Sequence, residues 1–245
     1  MKIHVVKTEL ASILRFRKLF LHSSNFQIRY DACHERKWTD SYLIFADGKE
    51  IGYGSVKGKD EIHQRDAIFE FYLLPTYQYL SSQFFLELIQ TAQVPNIECQ
   101  SNDLLLSSMM FEFGKNISSK IILFEEGYQT DLSQPDVVFR KRRPEEMGWK
   151  KEAMGDFVLE KNNELVASGG FLMHYNIPFA DLYMEVHPGF RRQGLGSFIL
   201  QEIKKECYLA GRVPAARCNI SNVASKATLQ KAGMKVCGYM LLGKL

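Results

Sequence analysis

What the chain lacks excludes several classes at once. No apolar run approaches the length of a membrane-spanning helix, so no membrane partner is expected. The net charge is only +3. The one basic run, Arg140-Lys141-Arg142-Arg143, is followed at once by Pro144-Glu145-Glu146 and reads as a solvated loop, so no nucleic-acid partner is expected. The five cysteines, at 33, 99, 207, 218 and 237, are odd in number and none has C-x-x-C spacing. Neither a disulfide framework nor a zinc site is suggested, and the histidines offer no metal spacing, so no metal is expected. This cysteine usage fits a reducing, cytoplasmic setting. Met1 to Val6 opens as a strand and not as a charged leader.

What is present suits a globular protein with a proper core: 245 residues, of which 46% are apolar, enough for one large domain or two small ones. Ile3 to Val6 reads as a strand. Thr8 is placed to cap a helix from Glu9 to Leu21, with Leu10, Ile13, Leu14, Phe16 and Phe20 as its apolar stripe. Residues 26–38 show no clear period. Ser41–Phe45 and Glu50–Val56 flank Asp47-Gly48 as a hairpin. Ala67–Leu74 reads as a strand, Gln83–Gln93 as a helix, Asn96–Gln100 as a strand, Asp103–Phe111 as a helix and Ile121–Phe124 as a strand. Val137–Arg140 reads as a strand, and Pro144–Met154 as a short helix with proline in its first turn. Asp156–Lys161 and Glu164–His174 form a hairpin on Asn162-Asn163, whose Gly169-Gly170 marks a bulge or a close backbone approach. Val213–Ile220 is a strand, Asn222 caps a helix running to Lys231, Gly233 ends it, and Val236–Leu242 closes the sheet. The order is α/β with a mixed sheet.

Leu182 to Ala210 is the most informative stretch. Leu182, Met184 and Val186 alternate with Tyr183, Glu185 and His187 as a strand; Pro188-Gly189 ends it. Arg191-Arg192-Gln193-Gly194-Leu195-Gly196 then leads into an amphipathic helix beginning at Ser197, with Lys204, Lys205 and Glu206 on its polar face. The first N–H groups of a helix have no partner inside it, and its dipole adds positive charge there. Gly194 and Gly196 leave the backbone bare and two arginines add fixed charge, so the turn suits a diphosphate. No lysine follows Gly196 as a P-loop requires, and Ile199 stands where a dinucleotide fingerprint needs its third glycine. The remaining pattern, R-x-x-G-x-G between a strand and a helix, resembles the acetyl-CoA motif of the GNAT N-acetyltransferase superfamily. Asn219-Ile220-Ser221-Asn222-Val223-Ala224-Ser225, with Lys231-Ala232-Gly233-Met234 beyond, is similar to that family's second signature.

The first half echoes the second. Leu74-Pro75-Thr76-Tyr77 and onward runs parallel to His187-Pro188-Gly189-Phe190, with Ser81 and Gln83 standing for Gly194 and Gly196. Ser101-Asn102 echoes Ser221-Asn222, and Asp47–Val56 resembles the second and third strands of a GNAT domain. Tandem GNAT-like domains are therefore expected, each a mixed, mostly antiparallel sheet flanked by helices. Residues 1–130 would form a degenerate first domain whose tyrosine and serines crowd the turn, and residues 131–245 a catalytic second.

The resemblance implies acetyl transfer from acetyl-CoA, as co-substrate, to a primary amine of a small molecule or peptide. Its donor would be held by Val186, Arg191, Arg192, Gln193, Gly194, Leu195, Gly196, Ser197, Asn222 and Ser225, with the Val186 N–H at the thioester carbonyl. Glu185 is the first candidate for a general base, then His187; Tyr175, at the end of the preceding strand, is a candidate acid. The family's usual tyrosine position holds Leu229, and the position of a frequent glutamate base holds Arg217. That departure keeps a non-catalytic acyl-CoA-binding module open as the alternative. Use of aminoacyl-tRNA is disfavoured by the low charge. Monomer and homodimer both stay open.

Overall fold

Two tight turns set the hairpins. Asp47 and Gly48 adopt φ of +47° and +80°, and Asn162 and Asn163 adopt +50° and +62°. Positive φ at both central residues matches the twist of the flanking strands, and Asn, Asp and Gly tolerate it best. In the computed structural model, which describes residues 1–27, 30–147, 149 and 154–245, strands and helices follow in the order β1 (Ile3–Thr8), α1 (Leu10–Ser23), α2 (Tyr30–Glu35), β2 (Thr39–Ala46), β3 (Lys49–Lys57), β4 (Ala67–Leu73), α3 (Ser81–Ala92), β5 (Asn96–Gln100), α4 (Leu104–Phe113), β6 (Lys115–Glu126), β7 (Val137–Lys141), β8 (Phe157–Lys161), β9 (Glu164–Leu172), β10 (Phe179–Val186), α5 (Leu195–Leu209), β11 (Val213–Asn219), α6 (Val223–Lys231) and β12 (Met234–Lys244). No helix among the described residues is long and apolar enough to cross a membrane.

The chain divides into two compact units, Met1–Lys120 with Gly238–Leu245, and Ile121–Cys237. This division falls inside β6 and β12, and does not coincide with a boundary at 130/131. In the first unit β1 to β4 pair antiparallel in sequence order, β4 and β5 pair in parallel, and Met240–Lys244 of β12 runs antiparallel to β5. In the second unit β7, β8, β9 and β10 are antiparallel neighbours, β10 and β11 are parallel, and β11 pairs with Ile121–Glu125. Each unit has its own apolar core. Phe71, Phe84, Phe85, Leu88 and Met110 anchor the first; Phe124, Leu159, Ile199, Leu200 and Ile203 anchor the second. Each is thus a mixed, mostly antiparallel sheet flanked by helices.

The two units share one irregularity. The parallel β4–β5 pairing covers only Ala67–Ile68 with Asn96–Ile97, and the parallel β10–β11 pairing only Phe179–Asp181 with Val213–Ala215. Beyond those pairs each couple of strands separates.

Several local expectations are corrected by burial and pairing. Glu9, not Thr8, stands at the N-terminus of α1, because Thr8 is taken into β1 opposite Ser41. Leu14 is exposed and Arg17 takes its place among the buried residues of α1, since Arg17 finds a buried carboxylate. Lys204 is not on a polar face: it is buried, its ammonium donating to the carbonyls of Tyr128 and Ala232. His174 and Tyr175 lie past the end of β9, in the turn before β10. Part of the helix expected over 144–154 falls outside the described residues, and Pro144 and Glu145 within it form a turn. Gly169 and Gly170 carry no bulge; the register against β10 runs unbroken through both. They are close approaches instead. A Cβ on Gly169 would lie 2.5 Å from the Tyr183 carbonyl oxygen, and one on Gly170 2.8 Å from the Tyr183 hydroxyl.

The first unit is organised around Glu70, fully buried on β4. Its Oε1 accepts from Arg17 Nε at 3.2 Å and Nη2 at 3.0 Å; its Oε2 accepts from His34 Nε2 at 2.9 Å and Tyr53 Oη at 3.1 Å. Burial by itself pushes the Glu70 pKa up, but the Arg17 guanidinium and then His34 outweigh it and hold the carboxyl at about 2. A folded pKa below the ordinary value means this stabilisation is present above about pH 4.5 and is lost as pH falls toward 2. Glu70→Ala leaves the Arg17 charge buried beside Asp31 alone, and is expected to cost about 3–5 kcal/mol in urea denaturation at pH 7. Glu70→Gln, which keeps the shape, is expected to cost less.

Candidate active site

The separation of β10 from β11 opens a cleft of about 660 Å³ in the second unit. One wall is the end of β10, with Met184, Glu185 and Val186. The floor is the following turn and the start of α5: Phe190, Arg191, Arg192, Gly194, Leu195, Gly196 and Ser197. The far wall is the start of α6, with Asn222, Ala224, Ser225 and Thr228.

The turn has a specific backbone path. Pro188–Phe190 form one tight helical turn, Arg191 is extended, and Arg192 and Gly194 enter the left-handed region at +64° and +83°. Gly194 is the cap of α5 without any side-chain acceptor for the first amides. The N–H groups at the start of α5 therefore have no partner inside the helix and face the cleft. Arg191 Nε donates to the Val186 carbonyl at 3.3 Å and ties the turn to the strand. The Lys231 ammonium lies 3.7 Å from where a Cβ on Gly194 would project. Three cations thus gather at the positive end of a helix dipole, an arrangement that an anion between them would relieve.

Strand alternation fixes one further donor. The His187 N–H donates to the Val166 carbonyl at 2.9 Å across β9. Val186, one residue back, therefore turns its own N–H away from β9, toward the opened edge.

Of the residues singled out as donor-binding, all but Gln193 line the cleft. The Gln193 carbonyl is taken by Gln134 Nε2 at 3.0 Å. Leu195 is buried in the core, so only its backbone is on offer. Ser197 Oγ donates to the Thr228 carbonyl at 3.2 Å, joining α5 to α6. Gly196 sits at this crossing, where a Cβ would lie 3.0 Å from Thr228 Cγ2 and 3.3 Å from Met184 Cε. Asn222 caps α6, its Oδ1 accepting from the Ser225 N–H at 3.0 Å. Burial pushes the Cys218 thiol up, partly offset by a hydrogen bond with Ser225 and by the charge of Lys226.

Of the three acid–base candidates only Glu185 lines the cleft. His187 is outside the lining; its Nδ1 accepts from the Gly189 N–H at 3.2 Å, and its ring meets Trp149 edge-on at 5.2 Å. Tyr175 is almost wholly buried, its ring 6.0 Å from the Arg217 guanidinium carbon. Leu229, at the family's tyrosine position, is in the core. Met184, Phe190, Ala224 and Thr228 line the cleft although the motifs did not single them out. Thr228 was within reach of helical periodicity, lying one turn beyond Ala224, whereas nothing local marks Gln134. No group of three or more His, Cys, Asp or Glu side chains among the described residues could hold a metal.

Comparison with known proteins agrees in both halves. A family model described as "Acetyltransferase (GNAT) family" matches residues 123–234, and one described as "Acetyltransferase (GNAT) domain" matches residues 9–127. An acetyltransferase from the GNAT family from Colwellia psychrerythraea aligns over 100% of both chains at 15% identity and a TM-score of 0.74. A GCN5-related N-acetyltransferase from Sphaerobacter thermophilus aligns over 99% of this chain and 95% of its own at 13% identity and a TM-score of 0.62. A tandem GNAT protein from the clavulanic acid biosynthesis pathway aligns over 99% and 98% at 8% identity and a TM-score of 0.57. At these identities the likeness concerns the fold. No curated protein matches the sequence.

Arg192 holds a left-handed conformation that glycine adopts without strain. Arg192→Gly is expected to raise stability by about 0.5–1 kcal/mol in denaturant unfolding. A loss of stability would show that the arginine side chain stabilises the turn in the free protein.

Proposed function

The chain belongs to the GNAT acetyltransferase superfamily as a tandem of two such domains, and from that premise we propose that its second unit transfers an acetyl group from acetyl-CoA to a primary amine by direct attack. The observation that carries this reading is the start of α5, with outward amides, two positive-φ residues and three cations around one corner. The first unit supports a different role. There the matching turn runs as an unbroken tight helix from Pro75 to Leu80, with the Ser81 N–H on the Gln78 carbonyl, where the second unit has only Pro188–Phe190 helical and then Arg192 and Gly194 left-handed. Tyr79 points to solvent, so the two turns differ in backbone path and not through crowding by this tyrosine.

When bound, acetyl-CoA supplies the acetyl group as an activated thioester. The amides of Leu195, Gly196 and Ser197, with Arg191 and Arg192, hold the diphosphate. Asn222 and Ser225 border the pantetheine arm. The Val186 N–H, aimed at the opened edge, hydrogen-bonds the thioester carbonyl and stabilises the negative charge that develops on it. Glu185 takes the proton from the acceptor ammonium, which must be neutral to attack. Cys218 takes no part as a nucleophile, because burial favours its thiol form and a covalent route needs a thiolate. Leu229 and Arg217 leave two customary proton-transfer positions without a suitable group, which favours a second reading, a non-catalytic acyl-CoA-binding module. Thiol release from acetyl-CoA over a broad amine panel separates the two.

Gly196 is a poor probe of binding, since a Cβ there already presses on Thr228 Cγ2 at 3.0 Å and Met184 Cε at 3.3 Å. Arg192 is exposed and cleaner. Arg192→Glu is expected to weaken acetyl-CoA binding by about 10- to 100-fold in calorimetry, with the melting temperature little changed. Unchanged affinity would remove the diphosphate from this corner. Glu185→Gln is expected to lower kcat by about 100-fold while leaving acetyl-CoA affinity intact; unchanged kcat would take the base role from Glu185.

A further inference from the structure

We propose that Arg217 binds a carboxylate on the acceptor, so that the acceptor is an amine that also bears a carboxylate, as an amino acid does. This inference rests on the acetyl-transfer reading and names its substrate class.

Arg217 lies on β11, two residues past Ala215, the last residue paired with β10. Its neighbours Ala216 and Cys218 belong to the core packed under α5. Alternation places Arg217 on the other face of the sheet. Asp181 comes to the same face from β10, and Tyr183 and Glu185 follow it there at intervals of two.

The guanidinium is held from one side and keeps donors to spare. Its side chain is 31% exposed, and its Nε stands 3.7 Å from Asp181 Oδ2, beyond hydrogen-bond reach. The same Oδ2 is 3.3 Å from His174 Nε2 on its other side. The Tyr175 ring lies alongside, 6.0 Å from the guanidinium carbon. Among the described residues Arg217 has no other partner. A guanidinium presents five N–H donors in a rigid fork, and at 31% exposure those of Arg217 are open to a ligand arriving from solvent. A carboxylate fits that fork in two parallel hydrogen bonds.

The coenzyme's phosphates are poor occupants, because they are assigned to the start of α5 and Arg217 is absent from the lining of that cleft. Counting from the pair Asp181–Ala215, Arg217 is level with Tyr183, two residues short of Glu185. That offset is about 7 Å along a strand. A small amino acid can set its amine toward Glu185 and its carboxylate on Arg217 across that span. Asp181 and Tyr175 act as positioning residues for the arginine.

The test compares amino acids of increasing carboxylate-to-amine spacing with their decarboxylated amines, in thiol release and in calorimetric binding to the CoA-loaded protein. Amino acids are expected to exceed matched amines by about 10-fold or more in kcat/KM. Arg217→Gln is expected to raise KM for amino acids by about 100-fold, abolish their calorimetric signal, and leave both the amines and acetyl-CoA affinity unaltered. Arg217→Lys, which keeps the charge but not the fork, should fall between, and intact acetyl-CoA binding reports that both variants fold. Equal use of amines and amino acids, or an Arg217→Gln effect shared by both, overturns the carboxylate proposal and leaves acetyl transfer standing. Failure of the wild-type protein to bind acetyl-CoA removes the acetyl-transfer reading, and this proposal with it.

Discussion

The unpaired amides at the start of α5 are the constraint from which the second unit follows. They face outward only because Arg192 and Gly194 turn the chain left-handed just before the helix begins. Arginine accepts that conformation at an energetic cost, and cations crowd the positive end of the helix instead of its negative end. Both features oppose stability in the free protein, and both become favourable once an anion occupies the corner. Strain and like charge kept together in this way mark a surface built for a ligand and not for the fold alone.

The first unit shows the same strand–turn–helix–strand order solved differently. Its turn stays helical through Leu80, and the Ser81 N–H is taken by the Gln78 carbonyl, where the second unit instead turns left-handed at Arg192 and Gly194. In its interior Glu70 gathers Arg17, His34 and Tyr53. Burial of an ion pair contributes little net stability unless its remaining hydrogen bonds are satisfied, and here three side chains supply them.

Local chemistry made much of this legible in sequence. The Asp47-Gly48 and Asn162-Asn163 turns, the strand Asn96–Gln100 and the Asn222 cap depend on residues within a few positions of one another, and each stands where its residue types require. The R-x-x-G-x-G turn was readable for the same reason. What escaped notice depends on partners far along the chain. Arg17 is absent from the apolar stripe of α1, and its burial depends on Glu70, 53 residues on in β4. Lys204 reads as part of a charged face until the carbonyls of Tyr128 and Ala232 close over its ammonium. The pairing of Met240–Lys244 with β5 joins segments 140 or more residues apart, and no periodicity announces it. Arg217 stands where the resemblance expects a base, and its neighbours Asp181 and Tyr175 come from positions distant in the chain.

The central claim, that a diphosphate rests on the first amides of α5, is tested most directly by amide resonances in solution. Titration with acetyl-CoA should shift the Leu195, Gly196 and Ser197 amide protons strongly downfield, as charge-assisted hydrogen bonds form. Acetyl-pantetheine, which lacks the diphosphate, should leave those three in place. Saturating acetyl-CoA binding with no movement of these amides, or equal movement with both ligands, would contradict the account.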